Sequence, residues 1–364
     1  MGVTGRQGHL TARSPRVTIA DVSRALGVTK STVSRALNAY PDISASTQLR
    51  VRRMADKMGY RPLSHAQAIR TGLTKSLGLV IQMADHDSQR PFLAEFLSGL
   101  SQGASAEGWT LTIAASDSPQ HTLDMFGSMI ADRKVDGFIL PRPMINDARV
   151  AMLRQADVPF VLFGRNPDPA GCAWFDVLGE GAMQEAVRHL VGLGHRRIGF
   201  INGGRQYTYA ALRHTGFMQA MAAAGLPVDP AHIKENAVTV DEGAAAADAL
   251  LDTPQRPTAI VCAVDFAALG VYRAAAARGL TIGKDVSVIS YDGTPDGGHA
   301  QPPLSTFAVD FTNSGKRLST LLIRRIKGEP LDTLREEVPA TFLNRGSVGP
   351  PARNWPSSSK QMAQ

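Results

Sequence analysis

Residues 17–38, VTIADVSRALGVTKSTVSRALN, predict two short helices separated by a glycine, and this pattern constrains the fold more than any other stretch. Thr18, followed three residues later by Asp21, is typical of a capping box at the start of a helix. Apolar residues then recur at helical spacing until Gly27, which can adopt the positive φ that ends a helix. Thr29 fits the cap of a second helix. Two short helices joined across a glycine-containing turn form a helix-turn-helix.

The outer face of the predicted second helix is short, polar and basic. Its apolar residues repeat at helical spacing, and the opposite face carries Lys30, Ser31, Ser34 and Arg35. Such a face suits the DNA major groove, where lysine or arginine can donate two hydrogen bonds to guanine. The pattern alone leaves an ordinary antiparallel helix pair as the alternative.

A third helix is predicted after Ser44, and Gly59 and Pro62 end it. The string from VTIADVSRALGVTKSTVSRALN through GYRP to RTGLTKSLGLV resembles the DNA-binding headpiece and hinge of the LacI/GalR family of transcriptional regulators. The resemblance runs from about Val17 to Gly346. It implies a small all-α helix-turn-helix headpiece, followed by an α/β two-lobed domain like that of periplasmic binding proteins, with two doubly wound parallel sheets.

The resemblance implies DNA contacts for individual residues of the headpiece, which is expected to span residues 16–61. The family's base-reading positions on the second helix correspond to Thr29, Lys30, Ser31 and Arg35. Its phosphate-contacting positions, which fix the register without reading the sequence, correspond to Thr18, Thr32, Ser34, Asn38 and Ser44. The implied partner is a palindromic operator in double-stranded DNA, bound by a homodimer.

Residues 62–75 are expected to form a hinge between the headpiece and the body. The segment between Pro62 and Gly72 is long enough for about two helical turns, which is marginal for an isolated helix in water. In the family this segment folds as a helix on the operator and wedges an apolar side chain into the minor groove. Ile69 falls at that wedge position, where the family commonly has Leu, and Leu63 stands where it commonly has Asn.

The positive charge is concentrated at one end of the chain. Of the formal net charge of +7, residues 1–75 contribute +10, from 13 Lys and Arg against 3 Asp and Glu, and the remainder contributes −3. A basic head on a slightly acidic body fits an attraction to phosphates that is confined to the head.

Other features of the sequence narrow the class of protein. Two cysteines are too few for a disulfide framework, and no run of 18 apolar residues predicts a membrane span. The first 16 residues carry charges but no apolar core, so they do not fit a signal peptide. Residues 1–15 are predicted to be a disordered arm, and residues 347–364, rich in Pro and Ser, a disordered tail. The protein is expected to work in the cytoplasm.

From residue 76 onward, short apolar runs alternate with helical patterns, as in βαβ units. Strands this apolar are typical of parallel sheets that are covered on both faces. The predicted strands are residues 77–81, 111–115, 137–140, 160–163, 197–201, 259–263 and 286–291. The predicted helices are residues 92–106, 122–132, 148–156, 181–191, 210–224 and 266–278.

The resemblance implies that residues 76–346 form an effector-binding and dimerisation domain of two lobes. The first lobe is expected to contain about 76–177 plus 307–329, and the second about 178–306 plus 330–346. A late helix at 311–327 would return to the first lobe, and a strand near 338–342 to the second.

Polar residues just past the predicted strand ends are candidates for ligand contacts, because ligands of open α/β sheets bind beyond the carboxyl ends of the strands. These residues are Asp117, Arg142, Arg165, Asp265 and Asp292. Carboxylates and arginines suit the vicinal hydroxyls of a sugar, since each can take two hydrogen bonds in a fixed fork. Aromatic rings suit the apolar face of a pyranose, and the candidates are Phe92, Trp174, Phe175, Tyr207 and Tyr209.

By resemblance, the effector-contacting positions correspond to Phe92, Arg165, Tyr207, Tyr209, Arg213 and Asp292. Structural alternatives are an ion pair between Asp292 and Arg213 and core packing of Trp174. The family often reads Asp-Asp after the last of these strands and Asp-Asn before the helix near residue 181. This chain has Asp292-Gly293 and Leu178-Gly179 instead, so unusual pocket chemistry is expected.

These observations favour a sequence-specific DNA-binding regulator, a repressor of a carbohydrate uptake or catabolism operon whose operator affinity a sugar-like effector controls. A purine or an organic acid stays open as the effector, and so does the choice between induction and corepression. A solute-binding protein without a genetic role is opposed by the basic head. An enzyme is opposed because no CxxC, HExxH, GxSxG or Walker pattern is present. No metal, cofactor or membrane is predicted as a partner.

Overall fold

The computed structural model describes residues 17–61, 72–83 and 90–352, apart from the side chains of residues 90–92. The chain divides into two compact units, Met1–Thr74 and Lys75–Gln364, and each is described by itself. The predicted arm, most of the hinge with its wedge residue Ile69, and the end of the tail lie outside the described residues.

The first unit contains three helices around a small apolar core, as the sequence predicts. They are α1 (Ile19–Leu26), α2 (Lys30–Leu37) and α3 (Ala45–Met58). The backbone N–H of Thr18 donates to the Asp21 carboxylate over 2.9 Å, and Gly27 ends α1 with a φ of 66°. Four fully buried side chains form the core: Val22, Val33, Ala36 and Val51.

The second unit alternates strands and helices along most of its length. Up to residue 178 its elements are β1 (Ser76–Gln82), α4 (Arg90–Ala106), β2 (Thr110–Ser116), α5 (Pro119–Ala131), β3 (Gly137–Pro141), α6 (Ala148–Gln155), β4 (Phe160–Phe163) and β5 (Ala173–Leu178). Then follow α7 (Gly179–Gly192), β6 (Ile198–Ile201), α8 (Thr208–Ala223), β7 (Ile233–Lys234), α9 (Val240–Leu251), β8 (Ala259–Cys262), α10 (Asp265–Ala277), β9 (Ser287–Asp292), α11 (Pro295–His299), β10 (Ser305–Ala308), α12 (Phe311–Ile326), β11 (Arg335–Pro339) and β12 (Thr341–Leu343).

The strands form two six-stranded sheets, one in each lobe. The first sheet has the order β11-β5-β4-β3-β1-β2 and is parallel throughout, while the second has the order β12-β10-β9-β8-β6-β7. In the second sheet only the β12 edge strand is antiparallel to its neighbour. Along β8, Ile260 and Cys262 join one apolar cluster, and Val261 joins another on the opposite face. The predicted α/β architecture with sheets covered on both faces is confirmed.

The expected lobe boundaries were wrong near the end of the domain. Residues 335–339 form β11, which pairs with β5 of the first sheet, whereas the expected second lobe includes 330–346. The apolar run near 338–342 contains the ends of two strands, since β11 stops at Pro339 and β12 begins at Thr341 in the other sheet. Strand β10, cut by the expected boundary at 306/307, lies wholly in the second sheet.

The predicted disorder from residue 347 was also wrong for the first residues of that segment. Ser347 is fully buried; its hydroxyl donates to the carbonyl of Val288 and accepts from the N–H of Ser305, both over 2.7 Å. The carbonyl of Gly349 accepts from the buried His195 ring over 2.8 Å. Residues 353–364 lie outside the described part of the chain.

Among the helices of the described residues, none combines the length and the apolar character needed to cross a membrane.

Candidate nucleic-acid interface and ligand cavity

The four base-reading positions surround the start and the outer face of α2. Thr29 caps the helix, since its hydroxyl accepts from the N–H of Thr32 over 3.1 Å. Lys30, Ser31 and Arg35 are exposed, so their side chains are available to a groove. The helix buries its opposite face in the core of the first unit.

The phosphate-type positions lie at helix ends and along the same helix. Thr18 and Ser44 are exposed residues at the starts of α1 and α3. Asn38 follows α2, and its side-chain amide donates to the carbonyl of Ser34 over 2.7 Å. Helix starts present backbone N–H groups and a partial positive charge, which suits phosphate oxygens.

A cavity of about 820 Å³, open solvent at its mouth included, lies between the two lobes of the second unit. The first lobe contributes residues at and after the ends of β3, β4 and β5, and the second contributes residues around α8 and β9. The lining residues are Pro141, Arg142, Pro143, Phe163, Gly164, Arg165, Asp176, Val177, Gly179, Thr208, Tyr209, Leu212, Arg213, Val264, Tyr291, Asp292, Val309 and Phe311.

Arg213 lies in the cavity wall with its guanidinium between two aromatic rings. The guanidinium carbon lies 3.7 Å from the centre of the Tyr291 ring and 4.7 Å from that of Tyr209. Its Nη1 donates to the carbonyl of Ala263 over 2.5 Å. Gly179 leaves room for this side chain, because a Cβ there would meet Arg213 Nε at 2.9 Å. The departure from the family pattern at residue 179 therefore has a packing consequence.

Arg165 is held by acidic side chains on one wall of the cavity. Its Nε donates to Asp176 over 2.6 Å, and its other terminal nitrogens ion-pair with Glu180 and, at 3.8 Å, with Glu337. Burial raises the pKa of Asp176, although the adjacent Arg165 acts in the opposite direction. The positive charge of Arg165 is thus largely compensated within the protein.

Asp292 ends β9 at the cavity wall. Burial raises the pKa of its carboxyl to about 7, although Arg213 opposes the shift. Its φ of 126° lies in a region that favours glycine, and such strained backbone is concentrated at functional sites. Asp292 and Arg213, two of the residues predicted to contact the effector, both line the cavity.

Three residues that line the cavity each have a buried polar atom without a hydrogen-bond partner in the described structure. These atoms are Thr208 Oγ1, Tyr209 Oη and Arg213 Nε. Buried polar groups are nearly always paired, so unpaired ones in a cavity indicate a place for ligand or solvent oxygens.

Two predicted effector residues lie away from the cavity. Asp265 is fully buried, and its carboxylate accepts from the N–H and hydroxyl of Thr294 (2.7 and 3.0 Å) and from the hydroxyl of Thr306 (2.7 Å). It is a structural group that joins three segments of the second lobe. Asp117 is exposed and pairs with His121 over 2.8 Å. Neither residue lines the cavity, since strand-end position alone does not fix side-chain direction.

Tyr207 stacks on Tyr209 with ring centres 5.6 Å apart, just outside the cavity lining. The side chain of Phe92 lies outside the described part of the chain. Trp174 is largely buried beneath the Arg335 guanidinium and is a core residue.

The sequence reasoning missed Asp176, Thr208 and Tyr291. Tyr291 carried a usable signal, since it directly precedes Asp292 at a strand end. Asp176 carried none, because β5 itself was not predicted.

Backbone hydrogen bonds connect the two lobes beside the cavity. The N–H of Thr208 donates to the carbonyl of Pro143 over 3.0 Å, and that of Ile145 donates to Gln206 over 2.9 Å. Met144 and Tyr207 form the antiparallel bridge between them. A ligand in this cavity would therefore touch both lobes where they meet.

The chain joins a helix-turn-helix unit to a two-lobed α/β unit that has a cavity between its lobes. Together these features define a ligand-responsive DNA-binding regulator. Comparisons with known proteins agree. Residues 18–63 match the family described as bacterial regulatory proteins, lacI family, and residues 187–348 match the periplasmic binding protein-like domain.

The HTH-type transcriptional regulator AglR of Rhizobium meliloti (strain 1021) is 33% identical over 340 residues, which cover 92% of this chain and 95% of that regulator. A solved complex of the transcriptional regulator CelR with cellobiose is 28% identical, with a TM-score of 0.70, and covers 91% of this chain and all of that one. The lac repressor dimer bound to operator is 24% identical with a TM-score of 0.76, covers 92% of this chain and all of that one, and shares the fold. The chain belongs to the LacI family of DNA-binding transcriptional regulators.

Proposed function

We propose that this protein is a homodimeric, cytoplasmic repressor of a carbohydrate uptake or catabolism operon, and that a sugar bound between its lobes controls its affinity for a palindromic operator. In this proposal it has no catalytic role. The observation that carries the sugar assignment is the grouping of Asp292, the stacked Arg213 and unpaired hydroxyls in one largely apolar cavity.

A sugar matches both kinds of surface in this cavity. Its hydroxyls can donate to the Asp292 carboxylate and accept from Thr208 and Tyr209, whose oxygens have no partner in the described structure. Its apolar C–H face can lie against the rings of Phe163 and Phe311. A cavity with apolar walls and a few convergent polar groups is the usual form of a small-molecule site.

The charges of the cavity favour an uncharged ligand over an organic acid. Arg165 already has Asp176 and Glu180 as partners, so an anionic ligand would have to displace them. The negative charge of Asp292 interacts with Arg213 and reduces the attraction of Arg213 for a second carboxylate. The CelR structure, in which a relative is complexed with cellobiose, supports the same class of ligand.

Control of DNA binding would follow from the position of the cavity between the lobes. A ligand that contacts both lobes binds their closed and open arrangements with different affinity, and so shifts the balance between them. In a homodimer this balance would set the spacing of two DNA-reading α2 helices on the operator halves.

The test is a thermal-shift screen of the full chain against sugars including cellobiose, purine bases and organic acids. Each stabilising compound is then titrated into the protein bound to operator DNA. We expect a sugar to stabilise the protein and to change its operator affinity. Stabilisation by purines or organic acids alone would reject the sugar, and a stabilising sugar without effect on operator affinity would reject the coupling.

Two variants make the screen specific to the cavity. Asp292→Asn should reduce the stabilisation by the sugar, because one strong acceptor is lost. Asp117→Asn, which removes a carboxylate of the same type outside the cavity, should leave it unchanged. Equal effects of the two variants would place the ligand elsewhere.

A further inference from the structure

The loop that follows α2 is fixed against the end of that helix. The N–H of Tyr40 donates to the carbonyl of Arg35 over 3.1 Å, and Ala39 turns the chain with a φ of 52°. From α3, the side-chain amide of Gln48 donates to the carbonyls of Tyr40 and Ile43 over 3.2 and 2.9 Å. The loop therefore has a defined position next to the outer face of α2.

This loop places two side chains on the guanidinium of Arg35. The carboxylate of Asp42 forms an ion pair with Arg35 Nη2, and the Tyr40 ring centre lies 5.5 Å from the guanidinium carbon. The side chains of Arg35 and Asp42 remain 47% and 45% exposed, so both can reach a ligand. We call Arg35, Tyr40 and Asp42 the α2 clamp.

The clamp contributes little to folding. Exposed ion pairs contribute little to the stability of proteins, and the core of this unit is formed by other residues. The ion pair does matter for any partner of Arg35, since the partner must compete with the Asp42 carboxylate.

We infer that Asp42 is a specificity-determining residue, which holds Arg35 for a guanine–cytosine pair and disfavours its contact with phosphates. The guanine edge offers two acceptors to the arginine, and the paired cytosine offers an N4 donor that the carboxylate can accept. A phosphate offers acceptors to the arginine but no donor to the carboxylate, and its negative charge is repelled by Asp42. The inference rests on operator reading by α2 and adds a residue outside the positions that the resemblance implies.

The experiment compares the full-length wild type with Asp42→Asn on two DNA duplexes. One is the operator enriched by the wild type from a randomised library, and the other is a random duplex. Because non-specific binding depends on phosphates, Asp42→Asn should tighten binding to the random duplex while gaining nothing on the operator. The ratio of the two affinities should fall about fivefold or more, as for loss of one specific base contact.

Asp56→Asn is the matched control. Asp56 lies on α3, is 70% exposed and is 3.9 Å from Arg61, so its substitution removes the same charge without touching the clamp. Both variants should tighten non-specific binding through net charge, but only Asp42→Asn should lower the ratio. Circular dichroism melting should show both variants folded, as expected for exposed ion pairs.

The outcomes separate the inference from the function on which it rests. Selection of operators by Asp42→Asn should lose the preference for guanine at the position where Arg35→Ala loses it. If both aspartate variants keep the wild-type ratio, Asp42 acts through net charge alone and the inference is wrong. If the wild type itself enriches no operator, the DNA-reading function fails instead.

Discussion

The guanidinium carbon of Arg213 lies 3.7 Å from the centre of the Tyr291 ring, and this ring also joins the two lobes. The Tyr291 hydroxyl donates to the carbonyl of Val177 in the first lobe over 2.9 Å. A ligand that displaces or holds Arg213 therefore acts on a side chain packed against the lobe junction. The stacking links the cavity to the closure of the lobes.

Arg213→Lys should weaken effector binding about tenfold or more, because an ammonium group cannot reproduce the planar stack between two rings or its fixed donors. Isothermal titration with the stabilising sugar measures the change. Arg273→Lys is the control, since Arg273 is exposed and pairs only with Asp241 among the contacts described for it. Similar losses in both variants would remove Arg213 from the ligand site.

Gly179→Ala should weaken effector binding, because the new Cβ would lie 2.9 Å from Arg213 Nε and 3.0 Å from its Cγ and would displace that side chain. Gly181→Ala, on the same helix, meets nothing closer than 4.0 Å and should bind as the wild type does. It should also melt slightly higher, since alanine favours helix by up to about 1 kcal/mol over glycine. Normal effector binding by Gly179→Ala would contradict the claim that Gly179 leaves room for Arg213 in the ligand site.

The pH dependence of stability should report Asp292. Its pKa is about 7 in the folded chain against 3.8 for the free group, so the folded state holds an extra proton between these values. Its contribution to stability is therefore complete below the lower value and is lost as the pH rises through the higher one. Relative to Asp292→Asn, the wild type should lose stability between about pH 4 and pH 8. Parallel denaturation curves at all pH values would contradict the raised pKa.

Effector affinity should follow the same titration. Ligand hydroxyls donate more strongly to an ionised carboxylate, so wild-type affinity should rise as the pH passes about 7. The affinity of Asp292→Asn should be nearly constant over this range, and calorimetry at several pH values measures both.

Asp265→Ala should destabilise the second unit by about 3 kcal/mol or more, because Thr294 and Thr306 would keep buried donors without an acceptor. Urea unfolding measures the loss. Asp117→Ala, at an exposed pair, should leave the urea midpoint of unfolding almost unchanged. If Asp265→Ala keeps normal stability but loses effector binding, Asp265 contacts the ligand and its structural role is wrong.

The sequence predicted those parts of the fold that local patterns determine. The capping pair of Thr18 and Asp21 and the helix end at Gly27 require only neighbouring residues, and both are present. The apolar strands were predictable because buried parallel strands are continuously apolar.

Elements with mixed composition were not predictable in this way. Strand β5 contains Asp176 among aromatic residues, so it does not read as an apolar run. No prediction covered the helix Val240–Leu251. It is rich in alanine, and most of the residues that it buries are small, so large apolar side chains do not mark its buried face. The chain passes from the first sheet to the second at residues 339–341. This passage depends on which sheet has an edge free for pairing, and a local sequence pattern does not show that.

The sequence predicted which residues follow the strand ends, but not which way their side chains point or which side chains they contact. Arg165 and Asp292 line the cavity, whereas Asp265 turns into the core although its sequence position is equivalent. Two acidic partners of Arg165 come from β5 and α7. Their proximity to Arg165 depends on how β5 pairs in the sheet, and the sequence pattern does not show that pairing.

The most direct test of the account is the operator affinity of the full-length protein, measured by fluorescence anisotropy with and without the stabilising sugar. Coupling of this kind typically changes affinity by about 5- to 150-fold. We predict a change of this size in the wild type and a much smaller one in Arg213→Lys at the same sugar concentration. An operator affinity that the bound sugar leaves unchanged would contradict the claim that the cavity controls DNA binding.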